Sequence, residues 1–191
     1  EREAFPALSE TDLVIFGCPT YAGRLPNLLL KYLNTIAGGG AYAIPIVTFG
    51  NRAFDHSLAE LCALLESHGF HTIAAAAFSC EHSFSNTLGG GRPDENDLKE
   101  AENFALSVFG KMVKSVAFRQ PISAIKVDGN PNAAYYQPRD RHGASIDIRK
   151  VKPVTNEACT QCGRCAALCP MGAIDRADCT QTPGICIKCC A

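Results

Sequence analysis

The chain has 191 residues, 47% of them hydrophobic and 19% charged, with a formal net charge of −1. That composition describes a globular protein and excludes a strong electrostatic pull toward nucleic acid or an anionic membrane. No apolar stretch approaches the roughly 18 residues that a membrane helix needs, so no membrane partner is expected.

The first 114 residues alternate between short apolar runs and amphipathic stretches. Asp12-Leu13-Val14-Ile15-Phe16 reads as a buried strand that ends in the turn-forming run Gly17 to Gly23. A helix is expected from about Pro26, its Leu25, Leu29, Leu33 and Ile36 recurring at three-to-four spacing before Gly38-Gly39-Gly40 ends it. Ile44 to Phe49 is the next strand, with Pro45 placed near its start, where a missing amide donor is tolerated. It runs into the loop Gly50 to Asp55. A second helix carries Leu58, Leu61, Cys62 and Leu65 toward Gly69. Thr72 to Cys80 reads as a third strand, Glu81 to Pro93 as a loop, and Asp94 as the N-cap of a long helix whose Leu98, Ala101, Ala105, Val108 and Met112 form the apolar stripe. Three strand–helix units in succession imply a parallel sheet with helices on both faces. Its cofactor crevice is expected where the loops leave the strands' carboxyl ends.

Charge divides the chain into three parts. Residues 1–114 hold 8 Lys/Arg against 13 Asp/Glu, residues 115–155 hold 7 against 3, and residues 156–191 hold 3 against 3. The middle segment is therefore a basic connector, rich in turn formers such as Pro121, Asp128-Gly129-Asn130-Pro131, Pro138 and Pro153. It reads as a solvated linker over the acidic first domain, or as a docking face for an acidic redox protein, with Tyr135 and Tyr136 available to either surface.

The last segment carries the chemistry. Cys159, Cys162, Cys165 and Cys169 followed by Pro170 form a Cys-x2-Cys-x2-Cys-x3-Cys-Pro run, a spacing that iron–sulfur clusters use. Three thiolates two residues apart curl around one cubane, while the fourth faces a neighbouring cluster. A second half begins at Cys186 and Cys189. The expected ligands are thus Cys159, Cys162 and Cys165 for one 4Fe-4S cluster, and Cys169, Cys186 and Cys189 for another, each set one cysteine short within these residues. A zinc site on Cys159/Cys162 and Cys186/Cys189 leaves Cys165 and Cys169-Pro170 unexplained. Disulfides fit an odd count of 11 cysteines poorly. Cys179 and Cys190 fit no slot and read as extra buried or free thiols, with a stand-in ligand role as the alternative. Thiolate ligation argues for a reducing compartment, and the expected location is cytoplasmic. The chain opens at Glu1 without an initiator Met, and the second cysteine half breaks off at Ala191, so both ends are expected to continue into a longer protein.

The run Asp12 to Pro26, the run Phe49 to Asp55 and the stretches Glu81-His82-Ser83 and Gly91 to Asp97, taken with the cysteine run, resemble the bacterial and archaeal ferredoxins whose N-terminal region is flavodoxin-like. That resemblance implies an α/β fold: a flavodoxin-like doubly wound parallel sheet in 2-1-3-4-5 order, with strands three to five present, plus a small α+β ferredoxin-like domain. The implied domains are a partial flavodoxin-like domain (1–114), the basic linker (115–155) and a partial 4Fe-4S ferredoxin-type domain (156–191). It also implies an FMN edge held by Thr20, Tyr21 and Gly23 in one loop and by Gly50, Asn51, Arg52 and Phe54 in the other. No Ser/Thr-x-Thr-Gly-Asn-Thr type phosphate loop occurs in these residues.

Each loop residue also has a plain structural role. Gly17, Gly23 and Gly50 admit close backbone approach to a ring, or simply turn the chain. Tyr21 and Phe54 stack on a flavin or cap the sheet edge. Arg24 and Arg52 meet a phosphate or remain solvated. His82 beside Glu81 relays a proton or holds a turn. Two functions follow. One is an electron carrier relaying single electrons between 4Fe-4S clusters and a flavin or a redox protein partner. The other is a ferredoxin-fed flavoenzyme reducing a small organic substrate. The carrier is favoured because the loops offer no constellation of acid, base and nucleophile, so no catalytic residue is assigned. A third reading keeps the clusters and makes the first domain an interaction module.

Overall fold

The computed structural model describes residues 5–189. The chain forms two compact units, one ending at Tyr136 and one beginning at Gln137, so the basic middle segment is divided between them.

The first unit is a mixed α/β structure around a small parallel sheet. In chain order it contains β1 (Leu13–Pro19), α1 (Asn27–Leu33), β2 (Tyr42–Phe49), α2 (Ser57–Ser67), β3 (His71–Thr72), β4 (Ala76–Ser79) and α3 (Glu95–Phe118). Strand β2 is central. It pairs in parallel with β1, Leu13 opposite Tyr42 through Pro19 opposite Thr48, and on its other side with β3 and then β4.

Alternation along the strands sorts the two faces. Val14, Phe16 and Cys18 of β1 and Ala43 and Val47 of β2 point toward α1 and α2, where Leu33, Leu58, Leu61, Leu65 and Phe70 complete the larger core. Ile44 and Ile46 point the other way, against Phe104, Val108 and Met112 of α3. The stripe that α3 buries thus runs through Phe104, whereas Leu98 and Ala105, expected on it from their spacing, face solvent. Helix α1 also differs from expectation. It stops at Leu33, its last turn tightened by Thr35 N donating to Tyr32 O at 2.9 Å, and Ile36 reaches the core from the following loop.

Pro45 explains why the third strand is broken. It lies within β2, with its nitrogen directed toward β3, and it is fully buried. The amide of Ile73 donates to Ala43 O at 3.0 Å, so the parallel ladder next requires a donor from residue 45 to Ile73 O. Proline has none. The Lys111 ammonium of α3 fills the gap, donating to Ile73 O at 2.7 Å, and pairing resumes at β4. Pro45 therefore shapes the middle of the sheet and not the start of a strand.

Helix α3 begins as its sequence dictates. The Asp94 carboxylate accepts from the amides of Asn96 and Asp97 at 2.9 and 3.0 Å, and Asp97 returns the bond to Asp94 N at 2.9 Å, a capping box. Arg92 clamps the Asp97 carboxylate through two nitrogens and holds it below the usual carboxylate range.

The second unit is loop-rich; among the described residues it holds a 3-10 turn at Ile148–Lys150 and the short helix α4 (Arg164–Leu168). Among the described residues, no helix is long and apolar enough to cross a membrane.

Candidate iron–sulfur site and sheet-edge loops

The cysteine segment is built from turns that require unusual backbone. Between Cys159 and Cys162 the chain passes through Gln161 at φ +57°, and between Cys186 and Cys189 it passes through Lys188, also at +57°. The first Cys-x2-Cys pair of each half therefore has a left-handed turn at the residue before its second cysteine, a conformation rare outside glycine. Gly163 at φ +75° then opens α4, which carries Cys165 and buries Ala166.

Backbone amides are aimed at the sulfurs. Ala173 N lies 3.3 Å from Cys169 Sγ, and the amides of Ala173, Met171, Ile174 and Gly172 together pull that thiol below its ordinary range. Cys162 is pulled down by the Arg164 amide and the Thr160 hydroxyl. Donors fixed around a sulfur favour the thiolate, the form that ligates iron. Ala173 also joins the two cysteine halves, because its carbonyl accepts from Gly184 N at 3.1 Å, two residues before Cys186. A Cβ on Gly184 would lie 2.6 Å from Ala173 Cα, so this approach needs glycine.

Among the described residues, no three His, Cys, Asp or Glu side chains converge closely enough to hold a single metal ion. The ligands of a cubane bind one iron each, and so stand further apart than ligands sharing one ion. The amide-directed thiols fit that group. Cys179, read as an extra thiol, is buried within the unit, and Cys190 lies outside the described residues.

The first unit gathers three loops at the carboxyl end of its sheet. Thr20 N donates to Thr48 O at 2.8 Å and its hydroxyl meets the Ser57 hydroxyl at 2.7 Å. Gly23 O accepts from His56 N at 3.0 Å, so the loops after β1 and β2 lie side by side. The loop after β4 joins them. Asn51 Oδ1 accepts from Ser79 Oγ at 3.2 Å and Arg92 Nη1 at 3.3 Å, and a Cβ on Gly50 would sit 2.7 Å from the His82 ring. His82 Nδ1 accepts from Phe84 N at 3.1 Å, which holds a turn.

All seven residues expected at the flavin edge therefore reach one end of the sheet, but with different surroundings. Tyr21 and Arg52 are exposed at the rim, whereas Phe54 packs edge-on against Phe49 at a centroid distance of 5.4 Å. Thr20, Gly23, Gly50 and Asn51 make the loop-to-loop contacts just described. Arg24 turns inward. Its Nε and Nη2 meet the Glu60 carboxylate at 2.7 and 2.5 Å, and its Nη1 donates to Ala133 O. Leu25 N adds a third bond to Glu60 at 2.8 Å. Tyr135 and Tyr136 fold back onto these loops: Tyr135 OH donates to Leu25 O at 2.6 Å, and Tyr136 N to Ala22 O at 2.8 Å. Arg24 lies 5.3 Å from the centroid of the Tyr135 ring, and Arg52 lies 5.3 Å from that of Tyr136.

Residues 152–175 match the family of 4Fe-4S binding domains. The match contains Cys159, Cys162, Cys165 and Cys169, so this part of the chain is an iron–sulfur, ferredoxin-like region that binds a 4Fe-4S cluster and serves electron transfer. No curated protein matches the chain, and no solved structure does.

Proposed function

We propose that the protein is an electron carrier with two 4Fe-4S clusters, one held by Cys159, Cys162 and Cys165 and the other by Cys169, Cys186 and Cys189. The observation that carries this reading is the left-handed turn shared by Cys159-x2-Cys162 and Cys186-x2-Cys189, which makes the opening of the second half a geometric repeat of the first. The Ala173–Gly184 bond supports the crossover of Cys169, since it ties the peptide beside Cys169 to the strand of chain entering Cys186. When bound, each cluster accepts or donates one electron at a time. The chain's own residues set how readily. The amides of residues 171–174 stabilise negative charge on the Cys169 sulfur, and hydrogen bonds of that kind tune cluster potentials.

In the same reading the first unit is flavodoxin-like and holds FMN at its carboxyl-end loops, with Tyr21 and Tyr136 as exposed rings at the rim. Two features support it. The loops after three parallel strands converge there, and the sheet has an uncovered apolar flank. Leu13 and Ile15 share the face on which Tyr42 and Ile44 meet α3, yet Ile15 is 63% exposed, and α3 itself leaves Leu106, Phe109, Val113 and Val116 exposed. A further strand and helix of a doubly wound sheet would cover that surface. The electron partner is a redox protein, and the reducing cytoplasm is the compartment that suits the thiolates.

The test is Cys169→Ser in the full-length protein, prepared anaerobically. The substitution is expected to alter the electron paramagnetic resonance signal of the second cluster while leaving the first. Loss confined to the first cluster would refute the crossover. An FMN titration of the same protein tests the flavin, and absence of binding at micromolar flavin would remove it from the account.

A further inference from the structure

We infer that His56 is a proton-sensitive latch, which holds the segment 129–136 against the carboxyl-end loops of the first unit while its imidazole is neutral and releases it when the ring takes up a proton. The inference goes beyond the cluster and flavin readings and depends on neither.

Residue order reads this segment as part of a solvated linker, yet it belongs to the first unit and follows its surface. After α3 the chain buries Ile122, and Ile125 N donates to Thr72 O at 2.9 Å beside β3. Val127 then packs on the core that α1 and α2 cover. Gly129 follows at φ +142°, and a Cβ there would lie 2.8 Å from Ala59 Cβ and 3.5 Å from His56 Nδ1, so the backbone is seated on the first turn of α2. Beyond it, Ala133 O accepts from Arg24, Tyr135 OH donates to Leu25 O, and Tyr136 N donates to Ala22 O.

One hydrogen bond in this path can be switched. Asn130 N donates to His56 Nδ1 at 3.2 Å. A backbone amide can only donate, so Nδ1 must carry a lone pair and the ring's single proton sits on Nε2. A second proton therefore binds at Nδ1, where it sets N–H against N–H and places positive charge at the amino end of α2, which the helix's own amides disfavour. The His56 backbone is fixed on both sides, its N–H donating to Gly23 O at 3.0 Å and its carbonyl accepting from Glu60 N at 2.9 Å. The segment is the partner that yields.

The charges around the ring leave that bond in control. Asp55 is paired with Arg52 at 2.9 Å, and Glu60 is held by Arg24 and the Leu25 amide, so the carboxylates beside His56 in the loop and on the first turn of α2 already have partners. From the segment come the exposed Asp128 and the Tyr135 phenol, which is bonded to Leu25 O. The docked state requires the neutral ring, so docking is complete at high pH and weakens as pH falls. Release frees the rim where Arg52 lies 5.3 Å from the centroid of the Tyr136 ring.

The test is amide exchange in the full-length protein, resolved to single residues by mass spectrometry and followed from about pH 8 to about pH 5, the span over which imidazoles change charge. Each rate is divided by the intrinsic rate of an unfolded peptide at the same pH. Protection at Asn130 and at Tyr136 is expected to fall by about tenfold or more as the pH drops, as loss of an acceptor implies. Ile73, bonded to Ala43 O inside the sheet, is expected to keep its protection. His56→Asn places a non-titrating amide oxygen where Nδ1 stood, and it is expected to keep both amides protected across the whole range. Protection at Asn130 that did not change with pH in the wild type, or that fell equally in His56→Asn, would overturn the latch. So would loosening confined to Asn130 with Tyr136 unchanged, or a fall shared by Ile73, which marks general unfolding. If His56→Asn does not fold, the wild-type comparison of Asn130, Tyr136 and Ile73 decides.

Discussion

Glu60 offers a sharp perturbation of the sheet-edge loops. Its carboxylate, 7% exposed, accepts from Arg24 Nε, Arg24 Nη2 and Leu25 N, and the same arginine holds Ala133 O. Glu60→Ala would strand the Arg24 guanidinium, itself 13% exposed, without its counter-charge. Breaking a buried pair from one side costs about 3–5 kcal/mol, against a typical total stability of about 5–15 kcal/mol. The double substitution Arg24→Met/Glu60→Leu should recover most of that loss, because no unpaired charge remains buried. Urea unfolding of the wild type, Arg24→Met, Glu60→Leu and the double variant closes the cycle. The singles should also loosen the Ala133–Tyr136 segment, read as faster amide exchange at Tyr136, whose N–H is bonded to Ala22 O. A loss below about 1 kcal/mol in Glu60→Ala would refute the claim that this pair is a buried anchor.

Further outcomes follow from the same structure. Lys111→Met should cost about 1–3 kcal/mol in urea unfolding, since Ile73 O then has neither a ladder donor from Pro45 nor the ammonium; an unchanged midpoint would mean water replaces it freely. In reduced, metal-free protein near neutral pH, iodoacetamide should label Cys162 and Cys169 first and Cys62 last, as mass spectrometry would record. Amides and a hydroxyl lower the first two thiols, whereas burial pushes Cys62 up to about 11; the reverse order would contradict those environments. Asp97, held low by Arg92, contributes stability that is fully present above the ordinary carboxylate range and is lost as pH falls through its lowered value. Urea midpoints measured from pH 6 down to the acid limit should therefore fall less steeply in Asp97→Asn than in wild type.

Much of this was legible from residue order because it depended on local chemistry. The apolar runs at Leu13–Phe16 and Ile44–Phe49 mark strands, although the first is covered on one face only and leaves Leu13 and Ile15 exposed; Asp94 with Asp97 marks a helix start, and the spacing of Cys159 to Cys169 marks a cluster loop. Long-range partners were not legible. Arg24 reads as a solvated or phosphate-binding loop residue because Glu60, which buries it, lies 36 residues away. Pro45 reads as a strand-start residue until the ladder shows which carbonyl it leaves without a donor. The α3 stripe runs through Phe104 because Phe78 and Ile46 lie beneath it, with Phe78 and Phe104 at a centroid distance of 6.2 Å. Periodicity alone could not choose that face over the one through Ala105. Cys179 falls in no spacing pattern, and only the folded turn buries it and sets its amide on Gln161 Oε1, 18 residues earlier.

The central claim is that the C-terminal unit binds iron–sulfur clusters for single-electron transfer, and elemental analysis with spectroscopy tests it most directly. The full-length protein, reconstituted without oxygen, should contain roughly eight irons and as many acid-labile sulfides per chain, as two cubanes require. On reduction it should develop the paramagnetic signal of 4Fe-4S clusters. A protein that instead retained tightly bound zinc, released no sulfide and gave no such signal would contradict the account.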